Sequence, residues 1–320
     1  MILALPLVLL AACLAVKAHG AHGKHPALRG HAALALSRRS PALTALERRK
    51  SCKASPPAAT QGPVALAPTD SRNHSSSTIT AKKHKPTPKP VVFQANIGEI
   101  IQVDVSRCGS NGATAEITSN TGPNGKLDWL NCGLDTDSGW NPPMITVDDI
   151  IFVKDLQAAL ESPGSPFTAC KPYIAHFNTY GAQFGIPPIM LASFAMQEST
   201  CNPSTVGGGG EQGLMQLSPE KCVNPPNGNC RDPEWNIMTG ASFFAATLHG
   251  NNGNLLLSIG QYNGWYQSLT VAKATAAKNS ACCLCQNNLD YLFQFANGWL
   301  QNVDPYTLNL GQYHNLNDCH

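Results

Sequence analysis

The sequence predicts a mainly α-helical, disulfide-stabilised domain over residues 167–320, preceded by a small strand-containing lobe over residues 93–166. Three observations carry this expectation. From Cys170 onward, apolar residues such as Tyr173, Ile174, Phe177, Tyr180 and Phe184 recur at the three- and four-residue intervals of one helix face. From Ile189 to Met196 the residues are apolar or small on every side, which suits a helix enclosed by the core. Of the 12 cysteines, all but Cys13 and Cys52 lie beyond residue 93, an even set able to close into bridges.

Taken in order, Met1 to Ala18 holds an apolar run from Ile2 to Leu14 and small residues at Val16 and Ala18. That is the pattern of a secretory signal, too short to span a bilayer, and it predicts an exported, extracellular protein. Residues 19–92 are Ala, Pro, Ser, Thr, His and Lys with almost no aromatics, so they cannot bury enough apolar surface to offset chain entropy and are expected to be disordered. This tail carries the dibasic pairs Arg38-Arg39 and Arg48-Arg49 and the sequon Asn73-His74-Ser75, and it reads as a basic tether or pro-segment.

In the lobe, Gln94 to Val105 alternates and is rich in Ile and Val, which predicts a strand or hairpin. Asp148-Asp149 is placed to cap a helix running to about Glu161. Trp129 and Trp140 read first as core or loop-pinning residues and second as sugar platforms. Further on, Pro187 starts the central helix, since proline is tolerated in a first turn whose N–H groups lack partners. Asp232-Pro233-Glu234 is a helix start, with Asp as N-cap, for a helix ending at Gly250. Asn254 to Tyr262 is a short apolar helix, and Leu289, Leu292, Phe293, Ala296, Trp299 and Leu300 outline a last amphipathic one. Among the cysteines, Cys222 with Cys230 and Cys108 with Cys132 are the most local pairings. An exported chain favours bridges over zinc even in Cys282-Cys283-Leu284-Cys285, and Cys201 reads as a staple near Glu198.

Charge divides the chain. Residues 19–92 carry a net charge of plus eleven and residues 93–320 one of minus ten, a contrast hidden by the whole-chain value of +2. A folded body this acidic excludes nucleic acid as a partner and is not drawn to an anionic polymer by long-range attraction.

The candidate chemistry starts at Glu198, which leaves the apolar helix at its C-terminal end. Desolvation and the helix terminus both disfavour its charged form, so the carboxyl is expected to keep its proton near neutral pH, as a general acid must. The residues around it form three ordered blocks. They are Glu198-Ser199 with Gly213-Leu214-Met215-Gln216-Leu217, then Asp232-Pro233 with Asn236-Ile237 and Gly240, then Gln261-Tyr262-Asn263-Gly264. Over roughly Cys170 to Trp265 this pattern resembles the goose-type lysozymes and soluble lytic transglycosylases.

The resemblance implies a lysozyme-like helical domain, of the SLT transglycosylase type, that acts on β-1,4 bonds between amino sugars without a cofactor or metal. It makes Glu198 the acid. It implies substrate contacts from Ser199, Gly213, Met215 and Gln216, with Tyr262 and Asn263 orienting the acid and the sugar. The chain departs from the transglycosylase pattern at Gly207, where serine is common, and at Glu211, where alanine is common. Glu211 is therefore a possible second carboxylate that activates water, or else a solvated residue of a mobile glycine loop. Peptidoglycan is the first-choice polysaccharide, chitin the rival substrate, and an inactive sugar-binding protein the rival class. The expectation includes a monomer with no membrane association.

Overall fold

The protein is described by a computed structural model covering residues 99–103, 106–152 and 156–319. The signal segment, the basic tail and its sequon lie outside the described residues. Eight α-helices follow one another here: α1 (Leu127–Leu130), α2 (Leu156–Glu161), α3 (Ile174–Phe184), α4 (Pro188–Ser199), α5 (Pro233–Gly250), α6 (Leu255–Tyr262), α7 (Val271–Ala274) and α8 (Tyr291–Asn297). Short 3-10 turns link them, including Pro166–Tyr173, Pro219–Lys221 and Trp299–Gln301. No helix among the described residues is long and apolar enough to cross a membrane.

Helix α4 is the axis of the fold. Every residue from Ile189 to Ser199 is buried, so the all-apolar pattern in the sequence is realised as a helix with no solvent face. The helix ends because Thr200 and Cys201 both take the left-handed conformation, at φ 52° and 56°. Their N–H groups return to the carbonyls of Met196 and Ala195, which satisfies acceptors that a helix end otherwise leaves open. Helix α3 packs against α4 and α5, and α8 with the Trp299 turn closes the other side of α4. Phe194 is the hub, its ring centroid 4.3 Å from Tyr262, 4.6 Å from Phe295 and 4.7 Å from Phe244. One side chain thus ties α4 to α5, α6 and α8.

Side-chain caps fix that arrangement at two helix starts, of which the sequence predicts the first. The Asp232 carboxylate accepts from the Trp235 N–H at 2.9 Å at the start of α5, and Asn254 accepts from the Leu257 N–H at 3.1 Å at the start of α6. All ten cysteines of the body are bridged: Cys108–Cys132, Cys170–Cys201, Cys222–Cys230, Cys282–Cys285 and Cys283–Cys319. Cys170–Cys201 pins the turn after α4 to the segment before α3.

Three expectations are corrected. Residues 99–103 form no strand, and Ile101 instead donates its N–H to the Pro123 carbonyl. Asp148-Asp149 caps no helix. The Asp149 carboxylate takes the Thr146 N–H and hydroxyl, both at 2.7 Å, and so closes a turn. The last helix is not amphipathic, because every residue of α8 is buried and the helix stops at Gly298. A Cβ there would lie 2.4 Å from the Gln294 carbonyl oxygen and 2.8 Å from Pro305.

The described part of residues 99–152 joins the same core as the helices. Trp129 and Trp140 are fully buried, and Trp140 meets Trp265 edge to face at 4.9 Å. The Trp140 backbone exchanges hydrogen bonds with Ser268 and Leu269, and the Asn124 amide reaches the carbonyls of Ile151 and Ala296 at 2.8 and 2.7 Å.

Candidate active site

Glu198 stands one residue before the end of α4, and only 8% of its surface is exposed. The Tyr291 hydroxyl donates to its Oε1 at 2.6 Å. Burial pushes the carboxyl up from 4.5 to about 8. The Tyr291 hydrogen bond opposes that shift, and the negative charge of Glu211 adds to it. The acid therefore holds its proton at neutral pH. Tyr291 is also buried, and its phenol is pushed well above its usual value by burial and by Glu198, so it remains a donor.

The position of the acid is set by the buried amides behind it. Next to Glu198, the Gln197 side chain donates to Gln294 Oε1 at 3.2 Å and accepts from the Trp299 indole N–H. Gln294 in turn takes the Asn288 amide at 2.9 Å and donates to the Leu310 carbonyl at 3.1 Å. Buried polar groups with all partners in place lock one rotamer set, so α4 and α8 cannot slide without breaking several bonds together.

The return segment after α4 comes back to the acid as a tight turn. Val206 and Leu217 each bridge to Gln212. Gly213 has φ 78°, and a Cβ there would come within 2.5 Å of the Asn236 amide, so the position requires glycine. Asn236, fully buried in the first turns of α5, accepts the Met215 N–H at 2.8 Å and donates to the carbonyls of Gln212 and Cys230. The Met215 side chain is buried against Gly240, and its carbonyl accepts the Tyr262 hydroxyl at 2.9 Å. Ser199 donates to the carbonyls of Ala195 and Leu214, joining helix end to turn.

The six expected substrate contacts thus fall into two groups. Ser199, Gly213 and Met215 build the turn from inside, with their side chains or backbone already committed to protein partners. Gln216, Tyr262 and Asn263 line a cleft of about 130 Å³ together with Glu198 and Glu211. Tyr262 stands near enough to Glu198 to feel its charge, yet its hydroxyl supports Met215, and the bond to the acid comes from Tyr291.

The cleft is rich in unused acceptors. Gln216 spends its amide N–H groups on the carbonyls of Gly213 and Thr205, at 2.8 and 3.2 Å, which leaves Oε1 buried without a partner. Glu211 is 3% exposed. Its Oε2 takes the Gly209 N–H at 3.0 Å, and its Oε1 has no hydrogen-bond partner. Asn263 Oδ1 is likewise unpartnered. Buried acceptors left open in a cleft suit a ligand that brings hydroxyl or amide N–H donors. Glu211 is accordingly a buried cleft residue rather than a solvated one. Sequence reasoning missed Tyr291, Lys221 and Phe243. Tyr291 lies 93 positions from the acid with no local motif around it, so only the fold reveals it.

The family described as Transglycosylase SLT domain matches residues 175–281. Residues 175–281 are an SLT transglycosylase domain. The transglycosylase of Enterobacteria phage PRD1 is 35% identical over 79 residues, which is 24% of this chain and 30% of the phage protein. The chain thus spans under a third of that relative's length. Among solved structures, the chain aligns with the 70 kDa soluble lytic transglycosylase of Escherichia coli at 23% identity and a TM-score of 0.29, covering 43% of this chain and 25% of that one. An inactive mutant of lytic transglycosylase Slt from Pseudomonas aeruginosa aligns at 19% identity and a TM-score of 0.27, covering 43% and 24%.

Proposed function

We propose that the SLT domain cleaves β-1,4 bonds between the amino sugars of peptidoglycan, with Glu198 as general acid, in a protein exported to an oxidising compartment. One observation carries the reading: a carboxyl kept protonated by burial, gripped by Tyr291, in a cleft with a second carboxylate and open acceptors. Glu198 gives its proton to the bridging oxygen as that bond breaks, and the sugar passes through an oxocarbenium-like transition state. Gln216 and Asn263 accept from the sugar, holding the bond against the acid. The five disulfides support export.

What replaces the leaving group depends, in this reading, on Glu211. Glu211 favours hydrolysis in this reading, because a second carboxylate lining the cleft beside the acid can take a proton from an attacking water. Without that base, the sugar's own hydroxyl closes an anhydro ring. Digestion of purified peptidoglycan and of chitin by wild type and by Glu198→Gln, followed by mass measurement, tests both points. Cleavage of peptidoglycan by wild type alone is the expected result. Fragments one water lighter than hydrolysis products would show ring closure, and an inert wild type on both polymers would leave a sugar-binding protein.

A further inference from the structure

The cleft contains one basic side chain, Lys221, in an SLT domain whose surroundings are acidic. Lys221 ends the 3-10 turn Pro219–Lys221, followed at once by the Cys222–Cys230 bridge, so its backbone is tied down. Its ammonium lies 4.4 Å from the centroid of the Phe243 ring and donates to Ser218 Oγ at 2.7 Å. The Ser218 hydroxyl donates in turn to Glu220 Oε1 at 2.6 Å, and Glu220 lies 3.5 Å from the ammonium. Phe243 is itself braced by Tyr262, with centroids 5.8 Å apart. A lysine usually spends rotamer entropy to meet a ligand, whereas here the stem is laid along a ring and the head is already positioned. An ammonium has three donors, and one hydrogen bond plus a partly exposed ion pair leaves it able to donate further.

We propose that Lys221, seated on Phe243, reads a carboxylate on the substrate and thereby selects peptide-bearing glycan over neutral amino-sugar polymers. The inference rests on the glycosidase reading and deepens it, since peptidoglycan and chitin share the scissile bond and the acetamido group. They differ in the acidic stem peptide carried by alternate sugars. Gln216 and Asn263 are neutral and cannot distinguish the two polymers by charge, while the carboxylates Glu211 and Glu220, which also line the cleft, repel an acidic substrate and so oppose the preference. Lys221 can favour the acidic polymer, and over the short range of a direct contact it overcomes the repulsion from the acidic body. The carboxylate has two sources, the stem peptide or the lactyl group of a peptide-free sugar.

Calorimetric binding to the Glu198→Gln protein separates these. Four disaccharides serve as probes: one bearing the peptide with free carboxylates, the same with its carboxylates amidated, a peptide-free one with a free lactyl carboxylate, and the chitin disaccharide. The expected result is about fivefold tighter binding of the free-carboxylate peptide form than of the amidated form. Adding Lys221→Met, which keeps the stem over Phe243, removes that ratio, and adding Lys221→Arg retains it. A ratio within one protein does not depend on how well the variant folds. Preference for the lactyl form over the chitin disaccharide, lost in Lys221→Met, would assign the lactyl carboxylate as the group read. Equal binding of all four probes, or a preference surviving Lys221→Met, overturns the proposal. Wild-type cleavage of peptidoglycan beside such a result would leave the glycosidase reading standing, and a Lys221-dependent preference in a protein that cleaves nothing would do the reverse.

Discussion

Two carboxylates line the cleft from opposite kinds of support. Glu198 comes off a helix buried on all sides, with Tyr291 on its Oε1 and a network of buried amides behind it. Glu211 comes off a turn preceded by Gly207, Gly208, Gly209 and Gly210, held by one backbone N–H. The first support is dry and fixes the proton; the second leaves one oxygen open. On the proposed reading, this shared cleft contains one carboxyl that gives a proton and one that accepts it, two roles assigned to one functional group by environment.

The largest expected effect comes from removing the proton itself. Glu198→Gln should lower the cleavage rate by about a thousandfold, within the range for a general acid, with substrate binding retained. The same variant tests the burial argument through stability. The folded carboxyl titrates at about 8 and the unfolded one near 4.5, so between those values the folded state holds more protons. Stability is full below the lower value and falls as pH rises through the window. Full separation would amount to on the order of 5 kcal/mol by pH 9. In Glu198→Gln that slope should vanish in denaturant titrations run from pH 5 to pH 9. A slope unchanged from wild type would break the comparison at its first term.

Next in size is Glu211→Gln. If Glu211 is the base, hydrolytic flux drops by about a hundredfold and the residual products shift toward the anhydro form. Because the Glu211 charge raises the Glu198 value, the alkaline limb of the pH–rate profile should also move to lower pH. Tyr291→Phe should move the same limb the other way, since the lost hydrogen bond favoured the ionised acid. Its rate cost, about tenfold, reflects a less well oriented acid. Opposite shifts in two variants cannot arise from a general loss of packing, so parallel shifts would refute the assignment of the two roles.

How far these two supports could be read without coordinates differs for a physical reason. The Glu198 side was legible because its causes are local: proline at the helix start, apolar residues on every face, an acid at the end. The Asp232 cap was legible likewise, being a side chain bonding three residues on. What was not legible depends on distant partners. Tyr291 looks like one more core aromatic until the fold sets it against Glu198. Asp149 had the composition of a helix cap, but Thr146 lay closer as a partner. The last helix was misread as amphipathic because its polar residues, Gln294 and Asn297, are buried on amide networks rather than on water. From sequence Glu211 reads either as a base or as a solvated loop residue, since a run of glycines says nothing of where the chain returns.

The finest test alters the looser support without touching either carboxyl. Gly209 donates its N–H to Glu211 Oε2, and no positive φ forbids a side chain there. A Cβ at this position would meet Glu211 Oε1 at 2.5 Å, closer than any real contact, while the backbone hydrogen bond could persist. Gly209→Ala should therefore push the carboxylate by on the order of 1 Å, a modest cost because the obstructing atom is the end of a flexible side chain. Alanine also narrows the unfolded ensemble, so the Tm should stay within a few degrees of wild type. If water is aligned by Glu211 Oε1, even that displacement should lower the hydrolytic fraction about two- to threefold, with Glu198 and its pH limb nearly unmoved. A product ratio identical to wild type would mean that Glu211 lies beside the chemistry without taking part in it. The asymmetry between the carboxylates would then be one of packing alone.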